Sequence, residues 1–318
     1  MNVPVAFLFP GQGSQMVGMG VALAEESLSA KRVFEQVNDA IGEDLFAIMK
    51  DGPSEVLQLT RNAQPAIFAS SLAVVKAIEE RFGSIENHTS FVAGHSLGEY
   101  SALAAANSLD ISAAAMLLRI RGDAMQSATP IGTGAMAAIL GADINQIDRL
   151  IESFYAENNE NLEQIVQIAN DNAPGQIVVS GHKQAVEKLC DMAKQAGIKR
   201  SLMLPVSAPF HCDLMAPACD VMSEHLANSE FRQPEITLMC NVTAAAEADI
   251  YQLRVNLVNQ VTAKVRWRET LLNLSSQGVT QFVEIGTGKI LSGLVKRTVS
   301  DAEIVSLQSF QDITHYFS

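Results

Sequence analysis

The pentapeptide Gly94-His95-Ser96-Leu97-Gly98 follows an apolar run at residues 90–93 and precedes an alanine-rich stretch at 97–106. Read as strand, sharp turn and helix, that spacing lifts a hydroxyl to the carboxyl edge of a sheet, beside a helix N-terminus. The glycines are needed because a side chain in so tight a turn would clash. The letters alone recur by chance, so the flanking elements carry the argument for Ser96 as a nucleophile. The plainer alternative is a structural turn with a capping serine. A serine hydroxyl at its ordinary pKa needs a base. Among the six histidines, His88 lies in a polar loop, His182 at a turn, His225 on a surface helix and His315 in the tail, where solvated or structural roles are expected. His95, inside the turn itself, is poorly placed to reach its neighbour's hydroxyl. His211 lies in a loop at 205–212 after a strand, the place where α/β folds put reactive side chains. It is the candidate base, with a packed histidine as the alternative, and Cys212 beside it reads as a small core residue.

Arg121 is the anomaly of the sequence. On the helix expected over Ile111–Ser127, with Asp110 as its N-cap, its neighbours at helical spacing are Ala114, Leu117, Leu118 and Met125. A permanent charge therefore sits in an apolar stripe, where arginine is rarely left unpaired. It must find an anion. An internal acidic partner is one reading, and a bidentate clamp on a substrate carboxylate is the other. Arg119 has Asp123 at i+4 and reads as a solvated face. The glycine motifs elsewhere are discounted. Gly132-Thr133-Gly134 follows a helix tail and a proline instead of a strand, and Gly286-Thr287-Gly288-Lys289 lacks the rest of a phosphate-binding loop.

The elements that must position these groups read as α/β. Val5–Phe9 is a wholly apolar run, expected to be a strand buried on both faces, and it stops at a glycine-rich loop beginning at Pro10. A long helix over 66–82 and the strand at 90–93 follow. After Thr129-Pro130 the pattern changes to strand 135–140, helix 144–154, strands 165–169 and 176–180, helix 183–196 and strand 200–204. That order is β-α-β-β-α-β, the ferredoxin-like arrangement. The expected organisation is a large α/β-hydrolase-like catalytic domain with a parallel central sheet, residues 1–128 and 204–318, carrying an inserted small ferredoxin-like domain at 129–203. Strands at 236–240 and 281–285 would complete the larger sheet.

Composition sets the outer bounds. The chain has 318 residues, 48% hydrophobic and 18% charged, enough for one large or two modest cores, which excludes disorder. Its net charge of −13 argues against broad capture of nucleic acid or an anionic membrane. Four cysteines without C-x-x-C or zinc-finger spacing argue against a secreted disulfide framework and a structural zinc site and read as reduced thiols. The first ten residues lack the basic flank and cleavage site of a secretory signal, and no apolar run reaches the roughly 18 to 20 residues that span a bilayer. A cytoplasmic protein is expected; the net acidity and lack of heptads weakly favour a monomer.

The chain also carries a family resemblance over nearly its whole length. Phe9-Pro10-Gly11-Gln12-Gly13-Ser14-Gln15, Gly94-His95-Ser96-Leu97-Gly98-Glu99-Tyr100, Arg121-Gly122, Asn172-Ala173-Pro174-Gly175-Gln176, Pro209-Phe210-His211 and Gly286-Thr287-Gly288-Lys289 stand in the order found in the bacterial malonyl-CoA:acyl-carrier-protein transacylases. The resemblance implies a malonyl ester on Ser96, His211 as the proton carrier, and backbone N–H groups of Gln12 and Leu97 as an oxyanion hole. It further implies a backbone carbonyl at Gln260 orienting the histidine in place of an aspartate, and Arg121 pairing with the malonyl carboxylate. Phe210 and Asn172 join Gln12 as substrate-contacting residues, Phe210 at a position linked to preference for unsubstituted malonyl. No cofactor is implied beyond the coenzyme A thioester that serves as substrate, and the pathway implied is fatty-acid or polyketide synthesis.

The implied acceptor, acyl carrier protein, is acidic, as is this chain, so repulsion must be overcome locally. Residues 254–297 carry seven basic side chains against only Glu269 and Glu284. A carrier dock including Lys264, Arg266, Lys289 and Lys296 is expected, with Lys199 and Arg200 as a further basic pair. Solvated side chains without a partner are the alternative. The competing functions are a serine hydrolase or thioesterase, which shares the serine and histidine, and a non-catalytic acyl-binding module, which has no need of them.

Overall fold

The computed structural model describes residues 4–157 and 164–318. Val5–Phe9 forms β1, and its alternation explains the unbroken apolar run: Phe7 and Phe9 enter one core, Ala6 and Leu8 another, on opposite faces of the sheet. The other strands are β2 (Phe91–Gly94), β3 (Gly134–Leu140), β4 (Val166–Ala173), β5 (Gln176–His182), β6 (Arg200–Met203), β7 (Thr237–Met239), β8 (Ala246–Glu247), β9 (Gln281–Ile285) and β10 (Glu303–Leu307). The larger sheet runs β10-β9-β1-β2-β7-β8, parallel throughout except for the short β8. Parallel strands send all their carboxyl ends to one edge, so the loops after β1, β2, β7 and β9 meet there.

One face of this sheet is covered by the helices Thr60–Phe82 and Gly98–Ala105, with Ile111–Ser127 packed against them, the other by Trp267–Ser276 and Ile290–Thr298. The Thr60–Phe82 helix begins six residues before its expected start. Pro65 lies inside it and has no N–H to give, but Ala63, Ala66 and Ile67 are fully buried around it, and that burial outweighs the missing bond. Strand β10 adds an edge that sequence patterning misses, because Glu303 and Ser306 interrupt its apolar run.

The second sheet, β4-β5-β3-β6, is antiparallel and packs the helices Ile144–Glu157 and Lys183–Gln195 on one face, in the expected β-α-β-β-α-β order. Strand β4 runs four residues past its expected end, so Asn172 and Ala173 lie within it and Pro174-Gly175 form the turn into β5. That extension ties the two sheets together. Asp171 N–H donates to Val265 at 3.0 Å and Val265 N–H to Ala169 at 2.9 Å, while Arg268 grips the buried Asp171 carboxylate with Nε and Nη2 at 3.0 and 2.7 Å. Among the described residues no helix is long and apolar enough to cross a membrane.

Candidate active site

Ser96 follows β2 in a left-handed conformation, φ 53°, and the helix Gly98–Ala105 starts two residues later. The two glycines have measurable reasons to be glycine. A Cβ on Gly94 would lie 1.8 Å from the Gly98 carbonyl oxygen, and one on Gly98 would lie 2.3 Å from that of Phe9. Asn241, just past β7, staples the turn: its Oδ1 accepts from Ser96 N–H at 2.7 Å and its Nδ2 donates to the Gly94 carbonyl at 2.6 Å. A left-handed serine costs about 1–3 kcal/mol, which the staple and the packed glycines offset.

His211 reaches the same point from the loop after β6, also left-handed at φ 60°. Its Nε2 lies 2.8 Å from Ser96 Oγ, and its Nδ1 lies 2.8 Å from the Gln260 carbonyl oxygen. A carbonyl only accepts, so Nδ1 carries the hydrogen and Nε2 turns a bare lone pair to the serine hydroxyl. Burial, with the Arg121 charge as a second cause, pushes the ring down to about 3, so it is neutral at neutral pH.

Arg121 is 1% exposed. Its Nη1 donates to Gln64 Oε1 at 2.8 Å, and its Nη2 to Gln260 Oε1 at 3.0 Å and to Ser96 Oγ at 3.2 Å, with the Tyr100 ring centroid 5.9 Å away. Its hydrogen-bond partners are neutral: no acidic group touches it directly, and Nε has no partner among the described residues. A cation held by two amides beside a nucleophile, in a cleft, can take a carboxylate.

The cleft has a volume of about 430 Å³, with Ser96, His211 and Arg121 in its lining. Met136 and Val178 of the smaller sheet, Met125 and Phe210 give it an apolar wall. Gln12 and Leu97 line it too, and among the described residues neither of their backbone N–H groups has a protein acceptor. Two free N–H groups flanking a serine can stabilise a developing oxyanion. Asn172 also lines the cleft, where its Oδ1 lies 2.8 Å from His95 Nε2, and the Trp267 ring meets that imidazole edge-on with centroids 5.3 Å apart. Among the described residues no group of three or more His, Cys, Asp or Glu is arranged to hold a metal ion.

All eight residues singled out from sequence, Ser96, His211, Gln12, Leu97, Gln260, Arg121, Phe210 and Asn172, are thus at this cleft or hydrogen-bonded to its reactive groups. Two site residues were not foreseen, Gln64 and Asn241, and a third, Glu99, lies beneath the cleft, where its Oε2 accepts from Gln260 Nε2 at 2.7 Å. Gln64 and Glu99 are polar groups inside buried, alanine-rich helices, the same signal that exposed Arg121. Arg119 needs correction. It is 5% exposed instead of solvated, and it pairs with Glu43 at 2.9 Å, while Asp123 is taken by Arg61 at 3.0 Å. In the basic segment, Arg266 is already engaged by Glu269 and by the carbonyls of Val242 and Thr243, whereas Lys289 and Lys296 are exposed.

Residues 6–311 match the family model described as the acyl transferase domain. The chain belongs to that family. Among relatives of this acyl transferase, it is 42% identical to the malonyl CoA-acyl carrier protein transacylase of Bacillus subtilis strain 168, covering 95% of each chain. It is also 42% identical to the protein of that name from Haemophilus influenzae, covering 95% of this chain and 94% of the other. Its fold superposes on the crystal structure of an acyl-carrier-protein-S-malonyltransferase from Bartonella henselae with a TM-score of 0.94, at 45% identity over 98% of each chain. A malonyl-transacylase in complex with its type II PKS acyl-carrier protein gives 0.93 at 40% identity over 99% of each.

Proposed function

We infer that this acyl transferase moves the malonyl group of malonyl-CoA to the phosphopantetheine thiol of an acyl carrier protein, in two half-reactions through a malonyl ester on Ser96. The observation that carries the reading is Arg121: a buried guanidinium, paired only with neutral groups, 3.2 Å from the hydroxyl that would carry the acyl chain. Such a cation suits an acyl group ending in a carboxylate.

In the first half-reaction Ser96 Oγ attacks the thioester carbonyl as His211 Nε2 takes its proton. The oxyanion is received by the N–H groups of Gln12 and Leu97. Collapse breaks the carbon–sulfur bond, and the imidazolium returns the proton to the departing coenzyme A sulfur. The second half-reaction runs the same steps in reverse with the carrier thiol. The Gln260 carbonyl orients the ring and shares the imidazolium charge where other sites use a carboxylate. Phe210 and Asn172 shape the acyl pocket.

The carrier dock is read at Lys264, Arg266, Lys289 and Lys296, with the lysines freer than Arg266 to meet an acidic partner. The coenzyme A thioester is substrate, and no further cofactor enters these steps. We read residues 1–128 and 204–318 as the catalytic domain, 129–203 as the inserted one, and the protein as a cytoplasmic monomer.

Rapid mixing with malonyl-CoA tests the reading. One equivalent of coenzyme A thiol should appear in a burst and then stop until holo carrier protein is added, which should restart turnover. Steady release of malonate without any acceptor would contradict it and favour a hydrolase.

A further inference from the structure

A charge buried beneath the cleft takes no part in those steps. Glu99, in the first turn of the helix Gly98–Ala105, is 1% exposed and does not line the cleft. Its Oε2 accepts from Asn241 N–H at 3.0 Å and from Gln260 Nε2 at 2.7 Å, while Gln260 Oε1 accepts from Arg121 Nη2 at 3.0 Å. A single amide therefore separates the carboxylate from the guanidinium, and Gln260 Nε2 also holds the Ser96 carbonyl at 3.0 Å. The other titratable groups facing Glu99 are the Tyr100 phenol, next on its own helix, and the Cys240 thiol after β7. Burial pushes both upward, so both are neutral. With His211 neutral as well, the buried site of the free enzyme holds one cation and, above about pH 7, one anion.

We propose that Glu99 is the counter-charge of Arg121 and a positioning residue for acyl selection: it takes one proton from solvent when a substrate carboxylate docks on Arg121, and none when the acyl group is uncharged. The inference rests on the malonyl reading given above. Two carboxylates facing one guanidinium leave a net buried anion, and a low-dielectric site disfavours that strongly. Protonation restores neutrality. A proton on Oε1 leaves Oε2 free to accept both of its hydrogen bonds, so Gln260 keeps its place under Arg121, Ser96 and His211.

Burial already lifts Glu99 to about 7, with the N–H donors, the Cys240 thiol and then the Arg121 charge opposing the rise. A carboxylate on Arg121 weakens that opposition and raises Glu99 further. The complex then holds more protons than the free enzyme at pH values above about 7, so malonyl-CoA should bind more weakly as pH rises, by up to about tenfold per pH unit.

The test uses the Ser96→Ala chain, which binds without reacting. Calorimetric titration with malonyl-CoA at about pH 8, in buffers of different ionisation enthalpy, should report uptake approaching one proton per ligand. Acetyl-CoA should give none. Adding Glu99→Gln, which imitates the protonated carboxyl, should abolish the uptake and make malonyl-CoA affinity independent of pH. Malonyl-CoA binding that depends on Arg121 but takes up no proton, or uptake that survives Glu99→Gln, overturns the proposal while leaving the function intact. Equal binding of the two thioesters, unaffected by Arg121→Ala, overturns both. If Glu99→Gln fails to fold, infrared difference spectra of Ser96→Ala with carbon-13 malonyl-CoA decide instead: a new protein carboxylic-acid band supports the proposal and its absence refutes it.

Discussion

At the residue scale the site is set by what each polar group is denied. His211 is denied solvent, so it stays neutral with its lone pair on Ser96; Arg121 is denied a directly bonded anion, so it remains open to one. Truncating a desolvated charged partner typically costs about 2–5 kcal/mol, or roughly 30-fold to several thousandfold. Arg121→Ala should therefore lose malonyl transfer by that factor while losing much less acetyl transfer, measured as kcat/KM for each thioester. An equal loss for both would remove the carboxylate clamp. The pH profile carries a second expectation. A protonated His211 cannot take the serine proton, so its protonation abolishes activity as pH falls; with the ring held at about 3, kcat/KM should show no acid limb near the ordinary histidine value. Ser96 was legible in sequence because its glycine-flanked turn stands between strand and helix, His211 because it lies in a loop after a strand, and Arg121 because it breaks an apolar stripe. Arg119 was misread because helix periodicity offered Asp123, whereas the fold brings Glu43 to Arg119 and Arg61 to Asp123.

At the scale of elements, the turn at Ser96 depends on close backbone approach and on one asparagine from a neighbouring strand end. Asn241→Ala leaves the Ser96 N–H and the Gly94 carbonyl without their partner, at about 1–3 kcal/mol for each group left unsatisfied. Both melting temperature and the rate of Ser96 acylation should fall; an unchanged acylation rate would show that the staple does not set the nucleophile's position. Glycine substitutions give a matched contrast. Gly98→Ala forces a carbon against the β1 backbone and should abolish the native melting transition, whereas Gly293→Ala, on a helix with open space around it, should raise stability by about 0.5–1 kcal/mol. Strand-to-helix alternation made most elements readable. Strand β10 and the first turns of the Thr60–Phe82 helix were not, because interrupting polar residues and Pro65 hide elements that tertiary burial sustains.

At the scale of the whole molecule, the carboxyl edge of the parallel sheet supplies Ser96, the loop after β6 supplies His211 and the helix Ile111–Ser127 supplies Arg121, while the antiparallel sheet supplies part of the cleft wall through Met136 and Val178. The seam between them was invisible in sequence, since Asp171 and Arg268 lie 97 positions apart and only the fold makes them neighbours. The chain's net charge is −13, and the basic segment at 254–297 runs against it. Lys264→Glu with Lys296→Glu should raise the apparent KM for carrier protein, more so at low salt, while acylation by malonyl-CoA proceeds at its normal rate. An unchanged KM would move the dock elsewhere.

The claim on which these scales converge is that one hydroxyl, served by one imidazole and one guanidinium, carries the acyl group between two thiols. Intact-mass measurement after brief mixing with malonyl-CoA tests it most directly. The expected result is a single malonyl adduct on the peptide bearing Ser96, absent in Ser96→Ala and formed far more slowly in His211→Ala and Arg121→Ala. An adduct that survives Ser96→Ala, or no adduct on the unsubstituted chain, would contradict it.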